Sequence, residues 1–342
     1  MKRRHFLSKA LTAGAGGLAT PMLATQAAAQ GIESFTLLTD RPERGAAFAA
    51  RVAAITGGRI TISVTDAPAD VAMFDRVAAG QADLCLAPCD AFLDRAPALG
   101  LFAAMPFGMS STEVEAWVMA SDGQEMWDAI AGDFGLRFSL AGDEGTAPLW
   151  SKAALGDVAG LQVGALGLSA QSFDVLGAQV LDLRSSEIAR GALDMIEGLS
   201  PAQMVAAGLA EAFPNVSLAN PNRPSGLVAL GMNAARMSAL SEGDRFAIER
   251  TAKAHHAGMR TARYHEDALA LASLGATASP LPDALWSGMR EAAEEVLNTV
   301  FESGPKAAAA VDAYIYFLAE VSIWSDIGEA AYYAGRKQVA AL

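Results

Sequence analysis

Between residues 35 and 87 the apolar spacing switches back and forth between a period of two and a period of 3.6. That alternation constrains the fold more than any other feature. Residues 35–39 form a short apolar run. Residues 42–56 then place Phe48, Val52 and Ile55 on one helical face, and Gly57-Gly58 closes the helix. Residues 59–65 alternate through Ile60, Ile62 and Val64, as a half-buried strand does. Residues 70–79 return to helical spacing with Val71, Phe74 and Val77, end at Gly80, and lead into a strand at 83–87. Strand–helix–strand–helix–strand predicts a mostly parallel sheet covered by helices. A long helix follows over 113–131, with Trp117, Met126 and Trp127, then a strand at 136–140. A second alternating series runs through strands at 161–163, 180–183, around Met195 and 226–232. Its helices begin at Ser169 and Ser186 and span 201–212. From Ser241 only helices are expected, broken near Pro280 and Pro282 and at Gly304-Pro305. Two α/β units with a helical tail suit 342 residues at roughly 150 per domain.

The chain is 52% apolar, with a mean hydropathy of +0.25, which invites a membrane reading. The one long uncharged run lies at residues 10–24. Elsewhere charges, Gly or Pro interrupt every ten or so residues, so no second span is expected. Lys2 and Arg3-Arg4 precede that run, and Ala27-Ala28-Ala29 follows it. This is the pattern of a signal peptide over 1–29, resembling the twin-arginine type, and it addresses the chain to the periplasm. A membrane anchor is the competing reading, opposed by the run's shortness and its Gly and Ala content. Cleavage would remove Lys2, Arg3, Arg4 and Lys9, deepening the net charge from −13 to −17. That sign argues against nucleic acid and against anionic lipid as partners.

Enzyme signatures are missing: there is no P-loop, no H-E-x-x-H and no G-x-S-x-G. Gly164-Ala165-Leu166-Gly167 lacks dinucleotide-loop spacing and reads as a tight turn. His256 and His265 read as a solvated helix face rather than a metal site. Cys85 and Cys89 are the only cysteines. They read as a buried thiol pair, with a disulfide open to them in an exported protein. The chain is therefore expected not to be an enzyme.

Several motifs occur in an order and spacing that resemble one family. They include Thr56-Gly57-Gly58-Arg59-Ile60, the stretch Val71 to Asp83 with Phe74-Asp75 and Gly80, and Met105-Pro106-Phe107-Gly108-Met109. Gly123-Gln124-Glu125-Met126-Trp127, Asp157-Val158-Ala159-Gly160-Leu161, Gly191-Ala192-Leu193-Asp194 and Glu329-Ala330-Ala331-Tyr332 follow. The chain after residue 33 is similar to the solute-binding proteins of tripartite ATP-independent periplasmic (TRAP) transporters, and within them to the 2-oxo acid receptors. The resemblance implies an α/β, two-lobed, type II-like periplasmic solute-binding fold with an interlobe cleft and a helical C-terminal tail. It places lobe I at 31–150 plus about 229–260, lobe II at 151–228 plus about 261–305, and the tail at 306–342. Residues 146–152 and 226–233 are expected to cross between lobes. The implied function is capture of a small organic acid or related polar solute and its delivery to the membrane permease subunits. A module feeding a periplasmic sensor and an exported enzyme on the same fold are the alternatives. The resemblance also implies a bridging sodium or calcium ion, and a homodimer paired through tail helices 307–336 with Val311, Ile315, Leu318 and Ile323. Packing of that tail on its own domain competes with the dimer.

The binding residues depart from the family pattern. Gly164 stands where the family has an arginine that clamps the solute carboxylate. No glutamine occurs in 143–151, Asp90 replaces an aromatic residue, and a Glu-Trp pair reads Glu197-Gly198. Arg41 and Arg223 are the candidates to replace the missing clamp. Asp90 and Glu197 are expected to select a positive or hydroxyl-rich group, with Glu197 as the metal candidate. Trp150, Ser169 and Asn233 complete the expected cleft, Ser169 capping its helix if it does not bind solute.

Overall fold

The period-two runs become strands where the sequence places them. Strands β1 (Glu33–Thr39), β2 (Ile60–Asp66) and β3 (Leu84–Pro88) pair in parallel, with helices α1 (Pro42–Ile55) and α2 (Val71–Ala78) as crossovers. The computed structural model describes residues 32–184, 189–276 and 278–340, side chains of 337–340 excepted. Asp70 accepts from the Met73 amide at 2.9 Å and so caps α2. The 113–131 helix expected as one piece is two, α3 (Ser111–Ala120) and α4 (Gly123–Gly132). The break has a side-chain cause. Trp117 Nε1 donates to Asp122 at 2.7 Å, and a Cβ on Gly123 would meet the Trp117 ring at 2.7 Å. Only glycine lets the chain turn this closely over the indole. Strand β4 (Leu136–Asp143) follows α4.

The chain then enters a second sheet. It holds β5 (Leu149–Ser151), β6 (Gln162–Ala165) followed by α5 (Gly167–Val175), β7 (Gln179–Asp182) and β8 (Met195–Glu197). Helix α6 (Pro201–Ala206) stops short of the expected 212, since Gly208 takes φ 66° and one 3₁₀ turn follows at Ala210–Ala212. The helix expected from Ser186 begins outside the described residues. Strand β9 (Asn215–Ser217) ends this passage, and β10 (Leu227–Asn233) returns to the first sheet. Strand orders are β2-β1-β3-β10-β4 and β11-β9-β5-β8-β6-β7, where β11 (Ala278–Ser279) joins after two further helices. The short strands β5, β9 and β11 lie in stretches with too few residues to show a period. Both sheets are mixed rather than mostly parallel: β10 runs antiparallel to β3 and β4, and β5 to β8 and β9. The first crossing is at 144–148 and the return at 218–226, so residues 227–233 form a strand of the first sheet and not a crossing.

Of those two helices, α7 (Ala234–Ser238) is short and α8 (Glu242–Leu274) spans both lobes. Ser241 accepts from the Asp244 amide at its start, and Gly275 closes it in the left-handed region at φ 58°. At 1.5 Å per residue its 33 residues run about 50 Å. It lies against β4 and α1 at one end and α6 at the other. His265 on this helix is exposed, as the solvated face requires, but His256 is buried, contrary to that expectation, and so is its neighbour His255. His256 Nδ1 lies 3.0 Å from the Gly142 carbonyl, and His255 packs edge-on against Phe48.

Helix α9 (Asp283–Glu302) packs on α5, and α10 (Pro305–Ser325) turns back onto α4. The core of the first lobe is aromatic. Phe102 lies between Trp117 and Trp127, with centroids 5.0 and 4.7 Å away. Tyr314 of α10 meets Trp117 edge-on and accepts from the Met109 amide at 2.6 Å. Losing the Phe102 ring would cost about 3–5 kcal/mol. The tail thus packs one face on its own lobe and continues through a π-turn into α11 (Ala331–Ala340). The run from Pro305 to Arg336 is long and apolar enough to cross a membrane by length and composition, which the interruption argument did not anticipate. Cys85 and Cys89 are both buried and free, so the disulfide is not formed.

Candidate functional site

The C-terminal ends of β1, β2 and β3 face those of β6, β7 and β8 across a cleft of about 910 Å³. Open α/β sheets place ligands at these ends, where strands give way to helix N-termini. Thr39, Asp40, Arg41 and Asp66 line one wall; Leu166, Leu183, Arg184 and Leu199 line the other. Leu86, Ala87, Pro88 and Val228 add an apolar stretch. Arg44 donates to Glu144 at 2.7 Å. Burial pushes Glu144's carboxyl up, but Arg44 and Arg41 outweigh it and hold the group below the ordinary carboxylate range. Asp40 goes the other way: burial raises it, Glu144 adds to the rise, and Arg41 only partly opposes. The cleft therefore carries both signs of charge.

At the base of the cleft lies a largely buried cluster built from three parts of the chain, with Arg184 reaching into it from the cleft wall. Asp90 follows β3, and its side chain is fully enclosed. Arg184, just past β7, donates to Asp90 Oδ1 at 2.9 Å. Arg223, on the returning crossing and only 2% exposed, donates to Oδ2 at 3.0 Å. Burial raises Asp90's carboxyl, yet the two guanidiniums together hold it below its usual value. Gly167 opens α5 at φ 59° directly against Asp90, where a Cβ would meet the Asp90 Cβ at 2.5 Å. Glu197 is wholly buried and near enough to Arg223 for their charges to interact. Its Oε1 accepts from Asn220 at 2.9 Å, and its Oε2 has no partner. Burial pushes Glu197 above the ordinary range, with Ser169, Asn220 and Arg223 pulling it back.

The seven residues expected in the site separate into layers. Arg41 lines the cleft. Asp90, Arg223 and Glu197 come together below it, but as partners of one another rather than as separate solute contacts. Ser169 is buried beside them and donates to the Leu166 carbonyl at 2.7 Å, so it does not cap α5 by accepting an amide. Trp150 is enclosed in the second lobe's core, its Nε1 donating to the Leu199 carbonyl at 3.0 Å. Asn233 is not at the cleft. Because β10 runs antiparallel to β3, Asn233 sits at the opposite sheet end, capping α7 and donating to the Val77 carbonyl. At Gly164, an added Cβ would meet side-chain carbons of Leu183 and Leu193 at 2.6 Å, so these two leucines fill the space where the family's arginine would start. Sequence reasoning missed Arg184, although an arginine just past a strand of the second α/β unit was a readable signal. It also missed Asn220 and Asn222, whose relation to Glu197 depends on the crossing's path.

Glu197 Oε2 lacks a hydrogen-bond partner, and so does Asn222 Oδ1, whose side chain acts on Glu197. A carboxylate with a neutral amide oxygen is a donor pair for a hard cation. No group of three or more His, Cys, Asp or Glu side chains is placed to hold a metal among the described residues.

Solved structures with this fold include three TRAP solute-binding proteins. One from Pseudoalteromonas atlantica T6c holds sodium and pyruvate; it is 18% identical, with TM-score 0.80 over 88% of this chain and 98% of its own. One from Colwellia psychrerythraea holds calcium and pyruvate; it is 19% identical, with TM-score 0.81 over 89% and 99%. One from Bordetella bronchiseptica RB50 is a mixed-occupancy dimer with calcium and picolinate in one site; it is 17% identical, with TM-score 0.83 over 91% and 99%. No curated protein matches the chain. The family model for bacterial extracellular solute-binding proteins, family 7, matches residues 42–303, more than three quarters of the sequence, and the chain belongs to that family.

Proposed function

We propose that this chain is the periplasmic receptor of a TRAP-type secondary transporter. It captures a small polar solute in the interlobe cleft and presents the loaded form to the membrane permease subunits. The observation that carries the reading is the 910 Å³ cleft at the strand ends of both sheets, with charges of both signs on its walls. Arg41, with Asp40 and Asp66 beside it, is our choice for direct solute contact. The related structures hold small organic acids, and an organic acid is the solute class we favour. Family membership supports a receptor rather than an enzyme. Residues 1–29 are read as the export signal and lie outside the described residues.

The lobes are read as 32–143 with 227 to about 260, and 149–217 with about 261–303. A sodium or calcium ion at Glu197, with Asn222, is our reading of the unpartnered oxygens; it would offset the buried Glu197 carboxylate. Two copies are read as pairing through the outer face of the tail, where Tyr316, Ile323, Trp324 and Ile327 are all 65% exposed or more.

A thermal-shift screen of the mature chain tests the function. It should span monocarboxylates, dicarboxylates, amino acids and sugar acids, with and without sodium or calcium. A native-state binder raises Tm by mass action. A saturable rise with one chemical class is expected, and no rise with any class would contradict the receptor reading.

A further inference from the structure

The Asp90 cluster has the parts of a carboxylate site. Two guanidiniums reach one carboxylate, one on each oxygen, at 2.9 and 3.0 Å. The Arg184 guanidinium also reaches the Asp90 carbonyl at 3.3 Å. The first turn of α5 faces the same carboxylate, and its dipole favours an anion there. Gly167 leaves the approach open, since any side chain would overlap Asp90. Arg223 and the Asp90 side chain are nearly without solvent contact. Buried charges of this kind persist only when paired. The partners come from different parts of the fold: Asp90 follows β3 of the first lobe, while Arg184 and Gly167 belong to the second.

We propose that Asp90 is a built-in occupant of this anion site, and that it holds the two lobes closed on each other without solute. It is also a specificity determinant. While Asp90 fills the site, a solute carboxylate cannot bridge Arg184 and Arg223. The solute is then read by the walls of the cleft above, Arg41 among them. The inference rests on the receptor reading for its meaning, but its test needs no solute, so the two fail separately.

Asp90→Gly removes the carboxylate and leaves a space of acetate's size between two arginines. The probe is acetate, with chloride at equal ionic strength as control. Asp90→Gly should melt several degrees below wild type in chloride and recover saturably in acetate, while wild type stays unmoved. No acetate response in the variant, or an equal response in wild type, overturns the proposal. Asp90→Asn keeps the shape of the side chain and gives an independent reading by small-angle scattering on protein refolded free of solute. The wild type should match the closed form, and Asp90→Asn should show a larger radius of gyration. An equally compact variant, or an open wild type, overturns the proposal even if Asp90→Gly does not fold.

Discussion

Arg223 is the residue whose role changes most between sequence and structure. As a lone arginine between Asn222 and Pro224 it reads as a solute clamp. In the fold it is buried and spent on Asp90. Breaking a buried pair leaves an uncompensated charge, which costs about 3–5 kcal/mol. Arg223→Met should therefore lower stability by that order in denaturant unfolding, whether or not solute is added. A variant as stable as wild type would mean the pair is not what the geometry indicates. Asp90 and Arg223 were legible as unusual residues because each interrupts a pattern. Their pairing was not, because they lie 133 positions apart and meet only through the return crossing. Gly164 was legible as a departure, and the leucines that explain it were not.

At the scale of elements, periodicity gave the long pieces and missed the short ones. The start of α8 was read at Ser241, but its end at Gly275 falls short of the break expected near Pro280, and strands of two or three residues carry no period. The break between α3 and α4 depended on a contact between Trp117 and Asp122 that spacing does not encode. Helix α8 also carries a pH response. His255 is enclosed between α8 and α1; burial lowers its pKa to about 4, with Arg51 and Arg44 adding to the effect. The unfolded value is about 6.5. A depressed histidine keeps its full contribution above the unfolded value and loses it as pH falls toward the folded one. Between pH 6.5 and pH 4 the unfolded state binds the extra proton, so Tm should fall with acidification. His255→Leu should flatten that fall in a melting series from pH 7 to pH 5. An unchanged slope would place the titration elsewhere.

For the whole molecule, the two sheets, the long linking helix and the tail follow the plan the sequence resembles. What the sequence could not show is how much apolar surface the tail leaves open. Trp324 and Ile327 sit on a helix whose other face is fixed by Tyr314 in the first lobe's core. Sedimentation should show a dimer for wild type and a monomer for Trp324→Asp with Ile327→Asp; a monomeric wild type would contradict the pairing. The central claim is that solute is captured in the cleft between the lobes. Ala207 is exposed on the cleft wall beyond α6, so Ala207→Trp projects an indole into the cleft from a residue outside either core. The decisive measurement is calorimetric titration of the stabilising solute into wild type, Arg41→Ala and Ala207→Trp. The account predicts one site in wild type, affinity weakened about tenfold or more in Arg41→Ala as a charge contact is lost, and weakened binding in Ala207→Trp. Equal affinity in all three proteins would contradict it.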